Sequence, residues 1–266
     1  MSNNAPIGVF DSGIGGLTVV KELLELMPEE NFIYFGDTAR VPYGPRPKEE
    51  ILEFLHQILD FFARKNVKMA VVACNTMTAV GLEMARLQYP FTLVGVNAGV
   101  NLAISKSKNK KIGVLATQAT IASGKHVRDA FSRDKDTIVY PQACPKLVPL
   151  IEAKKLEGVE IESAVAEYVL PMKQAGVDVA ILGCTHYPLV SGVIEKVADY
   201  GIILIDPARE TALEAYHILR EQDQLTTMES GKVRLCFSAD IQQAEKMAAL
   251  MLDIRSVDFE LVDLQK

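Results

Sequence analysis

The sequence predicts an α/β protein built of two similar parallel-sheet α/β domains facing each other across a cleft. Two observations lead there. Short β-branched runs alternate with longer amphipathic segments almost from end to end, the pattern of strands joined by crossover helices. Related strand-and-loop units also recur at offsets close to half the chain: Ile7-Gly8-Val9-Phe10 is echoed by Ile112-Gly113-Val114-Leu115, and the segment 70–76 by 180–186. At 266 residues the chain is long enough to hold two such domains.

Taken in order, strands are expected at 6–10, 31–36, 68–73, 91–96, 111–116, 137–140, 177–182, 201–205, 232–238 and 257–262. The clearest helix runs from about 48 to 65, where Ile51, Leu55, Ile58, Leu59 and Phe62 fall on one stripe. No Pro-rich or Gly/Ser-rich linker divides the chain, so the boundaries are placed at the strand ends near Asn97 and Asp206. Residues 98–206 then form one domain, and 207–266 return to complete the domain begun by 1–97. Two chain crossings would make a cleft of the kind in which small ligands bind.

A net charge of -6 removes the need for a basic face, so neither nucleic acid nor an anionic membrane is expected as a partner. The run Lys106 to Lys111 reads as a solvated turn. The opening residues Met1 to Ala5 lack a basic and then apolar leader, and no apolar run approaches the roughly 18 residues of a membrane span, so a cytoplasmic location is expected. There the four cysteines, Cys74, Cys144, Cys184 and Cys236, should be reduced. None forms a CxxC or Cys/His zinc spacing, and no metal site is expected.

Chemistry concentrates at the ends of the repeated strands. Cys74 and Cys184 each close an apolar strand and precede small polar residues that should open a helix, Asn75-Thr76 and Thr185-His186. In a parallel sheet the site lies beyond the carboxyl ends of the strands. Free backbone N–H groups and the helix dipole there can lower a thiol's pKa from about 8.5 toward 7. Each cysteine alone could be a small core residue, and the pair could be a redox couple if the sulfurs could close to about 2.05 Å. The repetition of the motif favours paired thiol chemistry.

Asp11-Ser12-Gly13-Ile14-Gly15-Gly16 ends the first strand. It departs from a dinucleotide loop, because Thr18 stands where the third glycine would fall. Its N–H groups and Ser12 could hold a substrate carboxylate, and Asp11 could bind an ammonium, help a base, or simply cap the next helix. His186 could orient or exchange protons with Cys184, or serve as a capping or surface histidine. The loop Asp37 to Pro45, with Pro42, Tyr43 and Gly44, offers a rigid turn with backbone donors. Glu152 is a carboxylate without an assigned neighbour. His56, His126 and His217 read as structural or exposed.

Together, Gly8 to Leu17, Gly36 to Gly44, Ala73-Cys74-Asn75-Thr76, Leu147 to Glu152, Gly183 to Leu189 and Asp206-Pro207-Ala208 resemble the aspartate/glutamate racemase family, its glutamate-racemising branch in particular. The resemblance covers most of the chain. It implies two α/β domains with the active site between them, no pyridoxal phosphate or other cofactor, and a homodimer. Proton transfer would fall to Cys74, acting on the D-enantiomer, and Cys184, acting on the L-enantiomer. Asp11 would assist the former and His186 the latter, with Glu152 as a helper. Glutamate would be held by Asp11, Ser12, Pro42, Tyr43, Gly44, Asn75, Thr76, Thr185 and His186, with Thr117 and Thr120 lining the site. His126 departs from the family, in which tyrosine is frequent at that position. The product, D-glutamate, would serve peptidoglycan synthesis.

Two rival readings follow from the same residues. The chemistry could act on aspartate or a hydantoin, which comparative turnover decides. A non-catalytic amino-acid-binding protein would leave optical rotation unchanged and tolerate loss of both thiols.

Overall fold

The computed structural model describes residues 4–227 and 229–264. The first three residues, part of the opening read above for a leader, lie outside the described residues. Among the described residues ten strands stand at the ten expected places: β1 Ile7–Asp11, β2 Phe32–Gly36, β3 Met69–Val72, β4 Thr92–Gly95, β5 Lys111–Ala116, β6 Ile138–Ala143, β7 Val179–Gly183, β8 Ile203–Ile205, β9 Val233–Phe237 and β10 Val257–Leu261. They fall into two compact units, Met1–Val96 with Ala208–Lys266, and Asn97–Pro207.

In the first unit six strands form one sheet in the order β10-β9-β2-β1-β3-β4. Every pair is parallel. β1 and β3 are buried along their whole length, which is why their sequences are unbroken small or apolar runs up to Asp11 rather than alternating patterns. The expected helix spans Lys48–Arg64 and buries the predicted stripe together with Phe54 and Phe61. Its Phe62 lies so close to β1 that a Cβ at Gly8 would stand 2.8 Å from the ring. The C-terminal segment adds β9 and β10 beside β2 and is tied down by a buried ion pair. Lys68 Nζ lies 2.6 Å from Glu30 Oε2 and also donates to the carbonyl of Gln224, while the Thr226 N–H donates to Glu30 Oε1. Burial lowers the Lys68 pKa, and Glu30 pulls it back up.

The second unit is a four-stranded parallel sheet in the order β6-β5-β7-β8. β6 continues past Tyr140, where the sequence reading ended it, through Pro141 to Ala143. It is an edge strand, and a proline on an edge need not break a ladder on its outer side. The basic turn 106–111 is largely exposed, and the N–H groups of Lys108 and Asn109 donate to the Asp178 carboxylate.

The repeat seen in the sequence is a repeat of register. β2-β1-β3-β4 and β6-β5-β7-β8 follow one plan, with Gly8 opposite Ala70 in the first unit and Gly113 opposite Ala180 in the second. Each glycine makes room for the helix before the third strand. At Gly113 the occupant is Met172, whose sulfur would stand 2.8 Å from an added Cβ. Past the sheets the plan persists: Asp37 N–H donates to the Asp11 carbonyl and Cys144 N–H to that of Ala116. Cys74 and Cys184 therefore occupy equivalent positions, each two residues beyond a paired residue, Val72 and Leu182. No helix among the described residues is long and apolar enough to cross a membrane.

Candidate active site

The candidate residues gather into one cluster in each unit. In the first, Cys74 is extended and caps the helix Asn75–Ala85, with Thr78 N–H donating to its carbonyl. The thiol is 4% exposed and lies 3.9 Å from Ser12 Oγ. The first turn of that helix thus opens beside a nearly buried sulfur, as the sequence anticipated. Asp11 is fully buried, and its Oδ2 accepts the Gly16 N–H at 2.9 Å. That bond fixes the glycine loop, while the helix that follows, Leu17–Leu26, has no side-chain cap. Gly16 is required there, because a Cβ would stand 2.6 Å from that of Asp11. Tyr34 Oη donates to the Gly13 carbonyl from below.

Tyr43 is anchored by a residue that the sequence reading did not single out. Asp37, fully buried, accepts from the Tyr43 hydroxyl, from Arg40 Nε at 2.6 Å and from Ser238 Oγ at 2.8 Å. Burial first, then the Asp37 carboxylate, pushes the Tyr43 phenol far above its ordinary value, so it stays a donor. Behind it, the Arg40 guanidinium stacks 3.9 Å from the centroid of Phe54. Tyr43 and Gly44 are buried residues, and their N–H groups have no acceptor among the described residues.

In the second unit, Cys184 is 6% exposed, with its sulfur 3.9 Å from His186 Nδ1. His186 Nε2 is 2.6 Å from Glu152 Oε1, at the end of the helix Leu147–Glu152. His186 is therefore no surface residue, and although it stands at the N-cap position of the turn Tyr187–Val190, its side chain makes no capping bond. Burial works against its charged form, but Cys184 and Glu152 outweigh that and raise its pKa well above the ordinary value. Thr117 caps the helix Gln118–Ala122, its Oγ1 accepting the Thr120 N–H and donating to Thr120 Oγ1. Thr185 is buried beside Cys184 in sequence.

One expectation is corrected here. No α-helix opens directly after Cys184; the chain passes into a four-residue 3₁₀ turn, Tyr187–Val190, before the helix Ser191–Val197. So short a turn aligns few peptide dipoles, and the local cation at Cys184 is His186 rather than a helix end. Tyr187 Oη donates to the Cys144 carbonyl and pins this turn to the end of β6. Burial pushes the Cys144 thiol up, marking it as a structural cysteine. Asp37 and Cys144 share one position of the repeated plan, a signal that aligning the two halves would have revealed.

All four cysteines are free thiols. Of the remaining histidines, His56 Nδ1 lies 3.2 Å from the Tyr89 hydroxyl, His126 is buried and His217 is exposed. Among the described residues no group of three His, Cys, Asp or Glu side chains is arranged to hold a metal ion.

The chain that carries these two register-equivalent thiols also matches a known family in sequence. The profile of the Asp/Glu/hydantoin racemases covers residues 7–215, and the chain belongs to that family. A glutamate racemase of Lysinibacillus sphaericus is 44% identical over 217 residues, which is 81% of this chain and 82% of that one. Among solved structures, a glutamate racemase isoform from Bacillus anthracis superposes with a TM-score of 0.92 at 33% identity, covering 98% of both chains. The glutamate racemase of Francisella tularensis, solved in complex with D-glutamate, gives 0.89 at 33% identity, again over 98% of both. The chain is an isomerase, and within its family it groups with the glutamate racemases.

Proposed function

We propose that the chain interconverts L- and D-glutamate by passing the α-proton between Cys74 and Cys184, without pyridoxal phosphate. The observation that carries this is the placement of the two thiols at one position of a repeated strand register, each with its own supporting groups. Inverting a stereocentre by proton transfer needs a base on one face of the α-carbon and an acid on the other, since a lone base returns the proton to the face it left. The proposal gives these roles to the two cysteines.

From L-glutamate, the Cys184 thiolate takes the α-proton: the C–H bond breaks and an S–H bond forms. The Cys74 thiol then gives its proton to the opposite face. The reverse reaction exchanges the roles. The His186 imidazolium, held by Glu152, stabilises negative charge on Cys184, while the first-turn N–H groups after Cys74 and the Ser12 hydroxyl serve Cys74. Asp11, Asn75, Thr76, Thr117, Thr120 and Thr185 complete the substrate contacts. The N–H groups of Tyr43 and Gly44, next to Pro42, receive the side-chain carboxylate. The reading places the enzyme in a bacterial cytoplasm as a homodimer, supplying D-glutamate for peptidoglycan.

Incubation with L-glutamate in deuterated water, with no cofactor added, should give D-glutamate labelled at the α-carbon. Unlabelled product, or a need for pyridoxal phosphate, would sink the mechanism. Cys74→Ala and Cys184→Ala should each abolish racemisation, and full activity in either removes that residue. Faster turnover of aspartate or a hydantoin would reassign the substrate.

A further inference from the structure

The carbonyls of the turn that carries Tyr43 and Gly44 are bound by one residue, through its side chain and its backbone. Arg46 Nε donates to the carbonyls of Arg40 and Pro42, at 3.0 and 3.3 Å, and its Nη2 donates to the Arg40 carbonyl at 2.6 Å. Its backbone N–H donates to the Tyr43 carbonyl at 3.0 Å. The outer edge of the guanidinium pairs with Glu50.

The consequence follows from peptide geometry. In a trans peptide unit the C=O and N–H point in opposite directions. The cis bond of this turn lies earlier, at Val41-Pro42. The unit whose carbonyl is Pro42 carries the N–H of Tyr43, and the unit whose carbonyl is Tyr43 carries the N–H of Gly44. Arg46 binds both carbonyls, one by side chain and one by backbone, and so turns both N–H groups to the far side. Those are the N–H groups of the two buried residues, without an acceptor among the described residues. A buried donor pair without an acceptor is costly unless an anion uses it.

We infer that Arg46 is a positioning residue that sets the substrate's chain-end specificity: it orients the Tyr43 and Gly44 N–H groups as a hook for a second carboxylate, favouring dicarboxylic over monocarboxylic amino acids. This rests on the glutamate reading above. Lysine replaces it only in part, because a single ammonium lacks the planar fork by which the guanidinium reaches the Arg40 and Pro42 carbonyls together.

The test compares wild type with Arg46→Lys and Arg46→Met, using kinetics with glutamate and competitive inhibition by glutarate, which has the second carboxylate, and by norvaline, which lacks it. Arg46→Met should raise KM for glutamate and Ki for glutarate about tenfold, the effect of losing one charge-assisted hydrogen bond. Its kcat should change less than about threefold, and Ki for norvaline should not move. Arg46→Lys, which keeps length and charge, should show the same split in milder form. Unchanged KM and glutarate Ki in both variants, or equal weakening of glutarate and norvaline, overturns the inference. Failure of the glutamate reading itself looks different: the wild-type protein would then bind glutarate and norvaline equally.

Discussion

Cys74 and Cys184 share a backbone position but not a chemical environment. Beside one stands a hydroxyl, beside the other an imidazole backed by a carboxylate, each at 3.9 Å from sulfur. The difference should be visible in the pH dependence. Because Cys184 and Glu152 hold His186 in its charged form against the cost of burial, activity that uses the imidazolium is present below the His186 pKa and fades as pH rises through it. Glu152→Gln removes one supporting charge and lowers that pKa. The alkaline limb of kcat/KM should then move to lower pH, and kcat from L-glutamate should fall about tenfold to a hundredfold. An unmoved limb, measured across neutral to alkaline pH, would exclude Glu152 from the proton-transfer machinery.

At the scale of the element, the sequence was most readable where packing leaves a periodic trace. The helix Lys48–Arg64 follows from a helical stripe, and the inner strands β1, β3, β5 and β7 from apolar runs, because a doubly covered parallel strand has no polar face to show. The reach of Glu152 to His186 was not readable, since it joins residues 34 apart whose meeting depends on the path of the intervening chain. The 3₁₀ turn after Cys184 was also missed, because Thr-His-Tyr-Pro carries the same opening signals as a helix. Asp37 escaped notice because its partners Arg40, Tyr43 and Ser238 converge only in the fold. The repeated glycines offer a test of the packing itself. Gly8→Ala meets the stiff ring of Phe62 and should cost about 1–3 kcal/mol in denaturant unfolding. Gly113→Ala meets the flexible end of Met172 and should cost less. The reverse ranking would mean that the two crossover helices are not packed as described.

At the scale of the molecule, the first unit depends on both ends of the chain and the second on neither. β9 and β10 cover the open edge of β2, and the Gln224 and Thr226 backbone binds the Lys68–Glu30 pair. Ending the chain after Pro207 would expose the five-residue strand β2 as an apolar edge and strip one partner from a buried ammonium. The truncated protein should lose amide-exchange protection in β1 and β3 while keeping it in β5 and β7. Retained protection throughout would show that the N-terminal segment folds without its C-terminal complement.

The unequal surroundings of the two thiols set a limit on the kinetics of any racemase so built. Mirror-image substrates in water have identical free energies, so the equilibrium constant is one and kcat/KM must be the same from either enantiomer. An imidazole beside one thiol and a hydroxyl beside the other cannot make the enzyme faster in one direction at low substrate. Their inequality can appear only as matched differences, a higher kcat with a proportionately higher KM for one hand of the substrate than for the other.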